Sequence, residues 1–308
     1  MNADDASSVR KAGQRPFAPG RSVHAPGAAV LRAMVLLEAC VATTGNPHAV
    51  ITQFGSYLHA STRGQSFQVT CGMIGLRTVP ETVADVRLSV EETAMNQVTS
   101  LHLLAGDGQP VHHCRTVSDY DRMILESLDQ EDDGMTVAET LAGRLGDPYR
   151  PASLDSDEQD QLGQLDALLH DGGRERRRCA AGVAHAARVD PLVLPMLLEH
   201  LCTTGLPVGA IVVGEGILQG ATGPIVTTSA AEGGVMARWR DATVEIDLHA
   251  VAECLRVTTS AAHGATRALE LYDARGRCIA VLGQFGLVGA DTHAAWEDVV
   301  ASLPLQVP

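Results

Sequence analysis

Aromatic residues are scarce in this sequence, at 3%, so its cores must be filled mainly by Ala, Val and Leu in closely packed elements. The chain has no C-x-x-C pair, and its cysteines are odd in number and widely spaced: Cys40, Cys71, Cys114, Cys179, Cys202, Cys254 and Cys278. That spacing excludes a clustered zinc or iron–sulfur site, and each thiol reads as a reduced, small hydrophobe. No run of about 18 apolar residues is present for a membrane span, and the first residues hold no apolar core of a secretory signal. These absences predict a cytoplasmic protein. Positive charge is also short: 23 Lys and Arg against 37 Asp and Glu give a formal charge of -14. Such a chain is a poor partner for nucleic acid, whose affinity for proteins comes largely from Lys and Arg displacing counterions. Finally, there is no G-x-S-x-G, H-E-x-x-H, Walker loop or G-x-G-x-x-G, so no hydrolytic or nucleotide-dependent chemistry announces itself.

What is there is length enough for two domains and a repeated pattern. The chain has 308 residues, which suits two cores. Residues 1–26 are rich in Gly, Pro, Ser and charge without periodicity, and read as a disordered tail. Between Glu126 and Asp171 there are 13 acidic residues against two Arg, which predicts an acidic linker over 129–160. A first repeat would then span 27–128 and a second 161–308. VLLEACVATTGNPHAVITQFGSYLHASTRG (35–64) can be laid on PMLLEHLCTTGLPVGAIVVGEGILQGATG (195–223) with small gaps. SLHLLAGDGQPV (100–111) aligns without gaps on ALELYDARGRCI (268–279). Repeats of this kind mark a tandem architecture.

Each copy reads the same way. An apolar helix ends near Thr-Thr-Gly, where Gly45 or Gly205 can take the left-handed cap conformation, and a β-rich stretch follows. ATVEIDLHAV alternates apolar Val244, Ile246 and Leu248 with Glu245, Asp247 and His249, as a half-buried strand does. ALELYDARGRCIAVLG reads as a hairpin turning at Asp273–Gly276, and THAAWEDVVASLPL as an amphipathic helix with Trp296, Val299, Val300 and Leu303 on one stripe. SDYDRMILESL is the first-copy counterpart of that helix. The predicted class is α+β, a tandem repeat of a helix-plus-antiparallel-sheet unit.

The hairpin residues Leu269, Glu270, Leu271, Tyr272, Asp273, Ala274 and Gly276, the glycines Gly286 and Gly289, and the Trp296–Pro304 helix together resemble the bacterial hemin-degrading or hemin-transport factor family. VEIDLHAVAE (244–253) and RRCAAGVA (177–184) are similar to further family stretches, and PVHHC is similar to a first-copy strand. The resemblance implies an α+β repeat with large antiparallel sheets and a haem cleft at the border of sheet and helix. It implies haem binding in bacterial iron acquisition, as intracellular trafficking or oxidative degradation with an electron donor it does not identify, and a possible homodimer. The family's axial histidine stands about thirteen residues before the arginine matched here by Arg177, and counting back reaches Gly163 and Gln164. The family's basic loop and tryptophan stretch are altered too: FGLVG carries no arginine, and AECLRVTT offers Arg256.

His170, at a helix end followed by Arg174, Arg176, Arg177 and Arg178, is therefore the candidate iron ligand, against the alternative that it only complements a helix dipole. Arg177 and Arg256 are candidate propionate partners, and His249 a candidate lining residue of a cleft. His112, His113 and Cys114 lie on one predicted strand, so at most His112 and Cys114 share a face, and a packed Cys114 with a hydrated His113 is the plainer reading. A different class of function, a repeat scaffold that has lost haem and works through protein–protein contacts, follows from the missing histidine and arginines.

Overall fold

A computed structural model describes residues 20–62, 72–92, 97–128, 131–132, 135–136, 164–182, 186–231, 233–261, 264–285 and 288–306. Most of the expected tail and acidic linker lie outside the described residues. From the N-terminus the elements are β1 (Arg21–Ser22), α1 (Gly27–Met34), β2 (Cys40–Asn46), β3 (Ala49–Thr62), β4 (Met73–Thr78), a 3-10 turn (Pro80–Thr82), β5 (Asp85–Glu92), β6 (Gln97–Leu104), β7 (Pro110–Thr116) and α2 (Asp119–Ser127). A two-stranded ribbon follows, β8 (Glu131–Asp132) with β9 (Met135–Thr136).

The second half contains a helical turn over 164–169, α3 (Arg174–Gly182), β10 (Ala186–Val189), α4 (Leu194–Thr204), β11 (Val208–Gly214), β12 (Ile217–Gly223), β13 (Thr227–Ala231), β14 (Gly234–Arg238) and β15 (Ala242–Asp247). A 3-10 turn (Leu248–Ala250), β16 (Glu253–Ala261), β17 (Gly264–Tyr272), β18 (Cys278–Gly283) and α5 (Ala290–Ala301) complete it. No helix among the described residues is long and apolar enough to cross a membrane.

The two halves use the same order in space. One sheet runs β1-β5-β6-β7-β2-β3 and the other β10-β16-β17-β18-β11-β12, so each strand has a counterpart in the same place. The hairpins aligned without gaps in the sequence also turn identically. Ala105 N–H donates to Gln109 O at 2.8 Å and Asp273 N–H to Arg277 O at 2.9 Å, while Gly108 and Gly276 close the turns at φ 78° and 73°. Glycine is needed there because a Cβ clashes with the backbone at positive φ.

The halves are joined by two strands that pair across them. β4 pairs parallel with β3 of its own half, Ser56 opposite Met73, and antiparallel with β12 of the other, Gln219 opposite Leu76. β15, from the second half, pairs antiparallel with β3, Val244 opposite Ile51. Below these pairings lies a buried polar chain. Thr44 Oγ1 is 2.7 Å from His112 Nδ1 and donates to Gln219 Oε1 at 2.8 Å, while Tyr57 Oη is 2.7 Å from His112 Nε2. Because Thr44 spends its one proton on Gln219, the ring donates from Nδ1 to Thr44. Burial keeps the imidazole neutral, which leaves Nε2 to accept from Tyr57.

Two apolar clusters lie on the helix-bearing faces. One joins α4, α5, β14 and β15 around Trp239 and Trp296, which are 1% and 0% exposed. Each indole donates to backbone, Trp239 to Val208 O and Gly223 O and Trp296 to Arg267 O, so both indoles are buried without an orphaned N–H, each contributing about 2–3 kcal/mol. The other gathers α1, Leu125, Leu128 and the inner faces of β2, β6 and β7.

Three local expectations are corrected. Gly205 does cap α4 at φ 67°, but Gly45 lies inside β2 and α1 has already ended at Met34. The shared Thr-Thr-Gly-x-Pro is thus not equivalent in the two halves. In the first, Asn46 Oδ1 accepts from the N–H groups of His48 and Ala49, and its amide donates to Val213 O and Ile279 O. That side chain makes the stretch a hairpin turn. His249 is the second: β15 ends at Asp247, whose carboxylate accepts from His249 N–H at 3.0 Å and turns the chain into a 3-10 turn. Arg21–Ser22 is the third, placed in the predicted tail and found paired with β5.

Burial, and then the neighbouring His113, pulls the His112 imidazole down to about 3. The unfolded chain titrates near 6.5, so between these values it binds a proton that the folded protein refuses, and stability falls as pH falls. Urea midpoints measured from pH 6.5 to 4 should drop less steeply in His112→Asn, by up to about 1.4 kcal/mol per pH unit. Identical slopes in the two proteins would refute this role.

Candidate functional site

The second-half sheet has its helices α4 and α5 on one face and the 164–182 segment on the other. Leu165, Leu168, Leu169 and Ala180 pack there on Ile211, Val213, Leu218, Leu255, Val257, Tyr272 and Val281. Strand alternation aims Glu253, Leu255 and Val257 of β16 at this segment and Cys254 and Arg256 at the other face. Two carboxylates consequently lie under a helix rich in arginine.

Glu270, 0% exposed, is held by four contacts. Arg176 reaches it through Nε at 3.2 Å and Nη2 at 3.1 Å, Gln164 donates to Oε1 and Tyr272 Oη to Oε2, both at 2.5 Å. A carboxylate so deep in a protein is tolerable only when its lone pairs are satisfied by a cation and donors. Burial raises the Tyr272 phenol far above its ordinary range, so it stays a donor. Next to this cluster, Arg177 Nε meets Glu253 Oε2 at 2.5 Å and Arg188 Nε meets Oε1 at 2.9 Å. On the first-half side Arg77, fully buried in β4, pairs with Asp166, which ties that strand to the segment above it.

The β17–β18 turn lies against the start of α3. The side chain of Arg277 sits over Gly172, and that of Arg177 over Gly276. Burial pulls the Asp273 carboxyl upward, but the N–H groups of Arg277 and Arg275 and the Arg277 guanidinium outweigh it and hold the carboxyl below its usual value. At this corner His170 is exposed, as are Arg174, Arg178 and Arg275, and none of these three arginines has an ion pair among the described residues.

The residues singled out in the sequence are thus distributed. His170 is exposed just before α3, and Arg177, on α3, is engaged by Glu253 and lies over Gly276. Arg256 points to the opposite face, where Nη1 donates to Val300 O and Ala301 O at 3.2 and 3.3 Å and caps the end of α5. His249 is exposed with its ring against Gly233. His112 and Cys114 share the buried face of β7, whereas the His113 ring is half-buried and stacked on His102 at 4.8 Å. Among the described residues no group of three or more His, Cys, Asp or Glu is placed to hold a metal ion. Sequence reasoning missed Glu270 and Gln164 as a pair. The only signal was an acid on the apolar-facing side of a strand with arginines elsewhere.

This fold is similar to that of two solved haem-handling proteins. At 22% identity the fold matches holo-PhuS, a heme-binding protein from Pseudomonas aeruginosa, with a TM-score of 0.69 over 99% of this chain and 94% of that one. It also matches ChuS, a heme oxygenase from E. coli, at 19% identity and a TM-score of 0.71 over 92% of this chain and 88% of the other. No curated protein matches the sequence. Residues 174–303 match the family described as the haemin-degrading HemS.ChuX domain.

Arg176→Ala removes the cation from a carboxylate with no exposure and should lower unfolding free energy by about 3 kcal/mol. Arg176→Leu combined with Glu270→Leu should recover most of that loss. Urea denaturation of the three variants checks both, and a single variant as stable as the double would show that the pair carries no such load.

Proposed function

We propose that this protein binds haem in bacterial iron acquisition, at the corner formed by the 164–182 segment and the β17–β18 turn. The observation that carries the reading is the HemS.ChuX domain over 174–303 with a donor set at its exposed corner that suits the ligand. His170 is an exposed imidazole, available to ligate iron through a ring nitrogen. Arg174 and Arg178, four residues apart on α3, and Arg275 on the adjoining turn offer guanidinium groups to two carboxylates. The space beneath is closed by Leu165, Leu168 and the Glu270–Arg176 pair, so the carboxylate ends of the ligand are met at the rim. Arg177 positions the turn through Gly276 and Glu253, and Arg256 acts on α5, so neither is assigned to the ligand directly. Haem, when bound, supplies any oxygen chemistry; the protein contributes ligation, orientation and charge.

A haem titration of the purified chain followed in the Soret region tests this. Saturable binding is expected, with a shifted band in His170→Ala. Arg174→Ala with Arg275→Ala should weaken affinity about tenfold or more while leaving the band in place. Absence of saturable binding by the unaltered chain would overturn the assignment.

A further inference from the structure

The large sheet of this protein has three described ends, and they are not alike. β1 is two residues long and carries Arg21. β10 carries Arg188 and is covered by the C-terminal segment, with Leu305 bridged to Val189 and Gln306 N–H donating to Arg188 O at 2.9 Å. The third is β13, five residues that pair with β14 alone. Short length, charge and covering chain are the devices that keep sheet edges from pairing with other molecules. Among the described residues β13 has none of them: Thr227, Thr228, Ser229, Ala230 and Ala231 include no charge and no proline, and all but Thr228 are exposed.

We propose that the outer edge of β13 is a self-association surface that takes a second copy of this chain. The strand is complementary to itself. Antiparallel pairing about Ser229 sets Thr227 opposite Ala231, Thr228 opposite Ala230 and Ser229 opposite Ser229, an isologous contact without like charges. Elsewhere a chain of net charge -14 repels its own copies, so an uncharged edge is where two copies can approach. Apolar surface flanks it. Val226, which leads into the strand, is 56% exposed, and Leu192 in the turn before α4 and Met196 in the first turn of α4, the helix packed beside β13, are 75% and 65% exposed. Edge pairing supplies the hydrogen bonds and these side chains the apolar area.

The test is the mass of the full-length protein by light scattering across a concentration series. A concentration-dependent dimer is expected. Ser229→Asp and Ser229→Lys each place like charges opposite one another at the two-fold axis, and each should raise the dissociation constant about tenfold or more. An equimolar mixture of the two variants should restore the dimer, because the axis then holds an opposite-charge pair. Unchanged circular dichroism and thermal midpoints confirm that the variants fold. A wild-type protein that stays monomeric throughout the series, variants that dimerise as the wild type does, or a mixture that stays monomeric overturns the proposal.

Discussion

The pairing of β4 and β15 across the two halves is the constraint on which the rest of this structure depends. A sheet of five or six strands in each half would end at β3 or β12 with an open row of N–H and C=O groups, which water or another chain must satisfy. Here β15 pairs with β3 over 49–53 and β4, itself paired with β3 over 56–62, closes β12, so the strands run on from one half into the other. The polar chain from Tyr57 through His112, Thr44 and Gln219, and the Asn46 amide on Val213 O and Ile279 O, are buried consequences of that pairing. Such groups are costly unless fully partnered, and partners come from both halves. The pair of halves is therefore specified together.

The same constraint shapes the second-half corner. β4 brings Arg77 across to Asp166 and so helps hold the 164–182 segment down on the sheet. With the segment held, Arg176 has one available carboxylate, Glu270, and Arg177 another, Glu253. Those two arginines are consumed by structure. Their neighbours Arg174 and Arg178, on the face away from the sheet, are exposed and have no ion pair among the described residues. An arginine-rich helix here divides its labour by face, an outcome of the 3.6-residue period rather than of residue type.

Much of the fold was legible because period and turn chemistry are local. The alternation of Val244 and Ile246, the Asp273–Gly276 turn, the Trp296 stripe and the left-handed Gly205 follow from spacing and from what glycine alone tolerates. The repeat was legible for the same reason, since SLHLLAGDGQPV and ALELYDARGRCI are hairpins with one geometry. Thr-Thr-Gly-x-Pro misled because a shared string does not fix conformation; Asn46, with a side chain able to satisfy its own turn, decided for a hairpin where Leu206 permits a helix end. His249 was displaced for a similar reason, since the Asp247 carboxylate ends the strand two residues early.

The sequence by itself determined the class of fold, the repeated unit, the family resemblance of the second half and the identity of the polar residues near its hairpin. Only the tertiary structure decided that β4 and β15 pair across the halves, that Arg256 caps a helix on the far face, and that Glu270, Gln164, Arg176 and Tyr272 form one buried cluster. The physical reason is separation. Helix stripes, strand alternation and turns are set by residues a few positions apart, whereas Gln164 and Glu270 are 106 positions apart and Thr44 and Gln219 are 175. Nothing in local propensity records which distant chain will lie across the sheet.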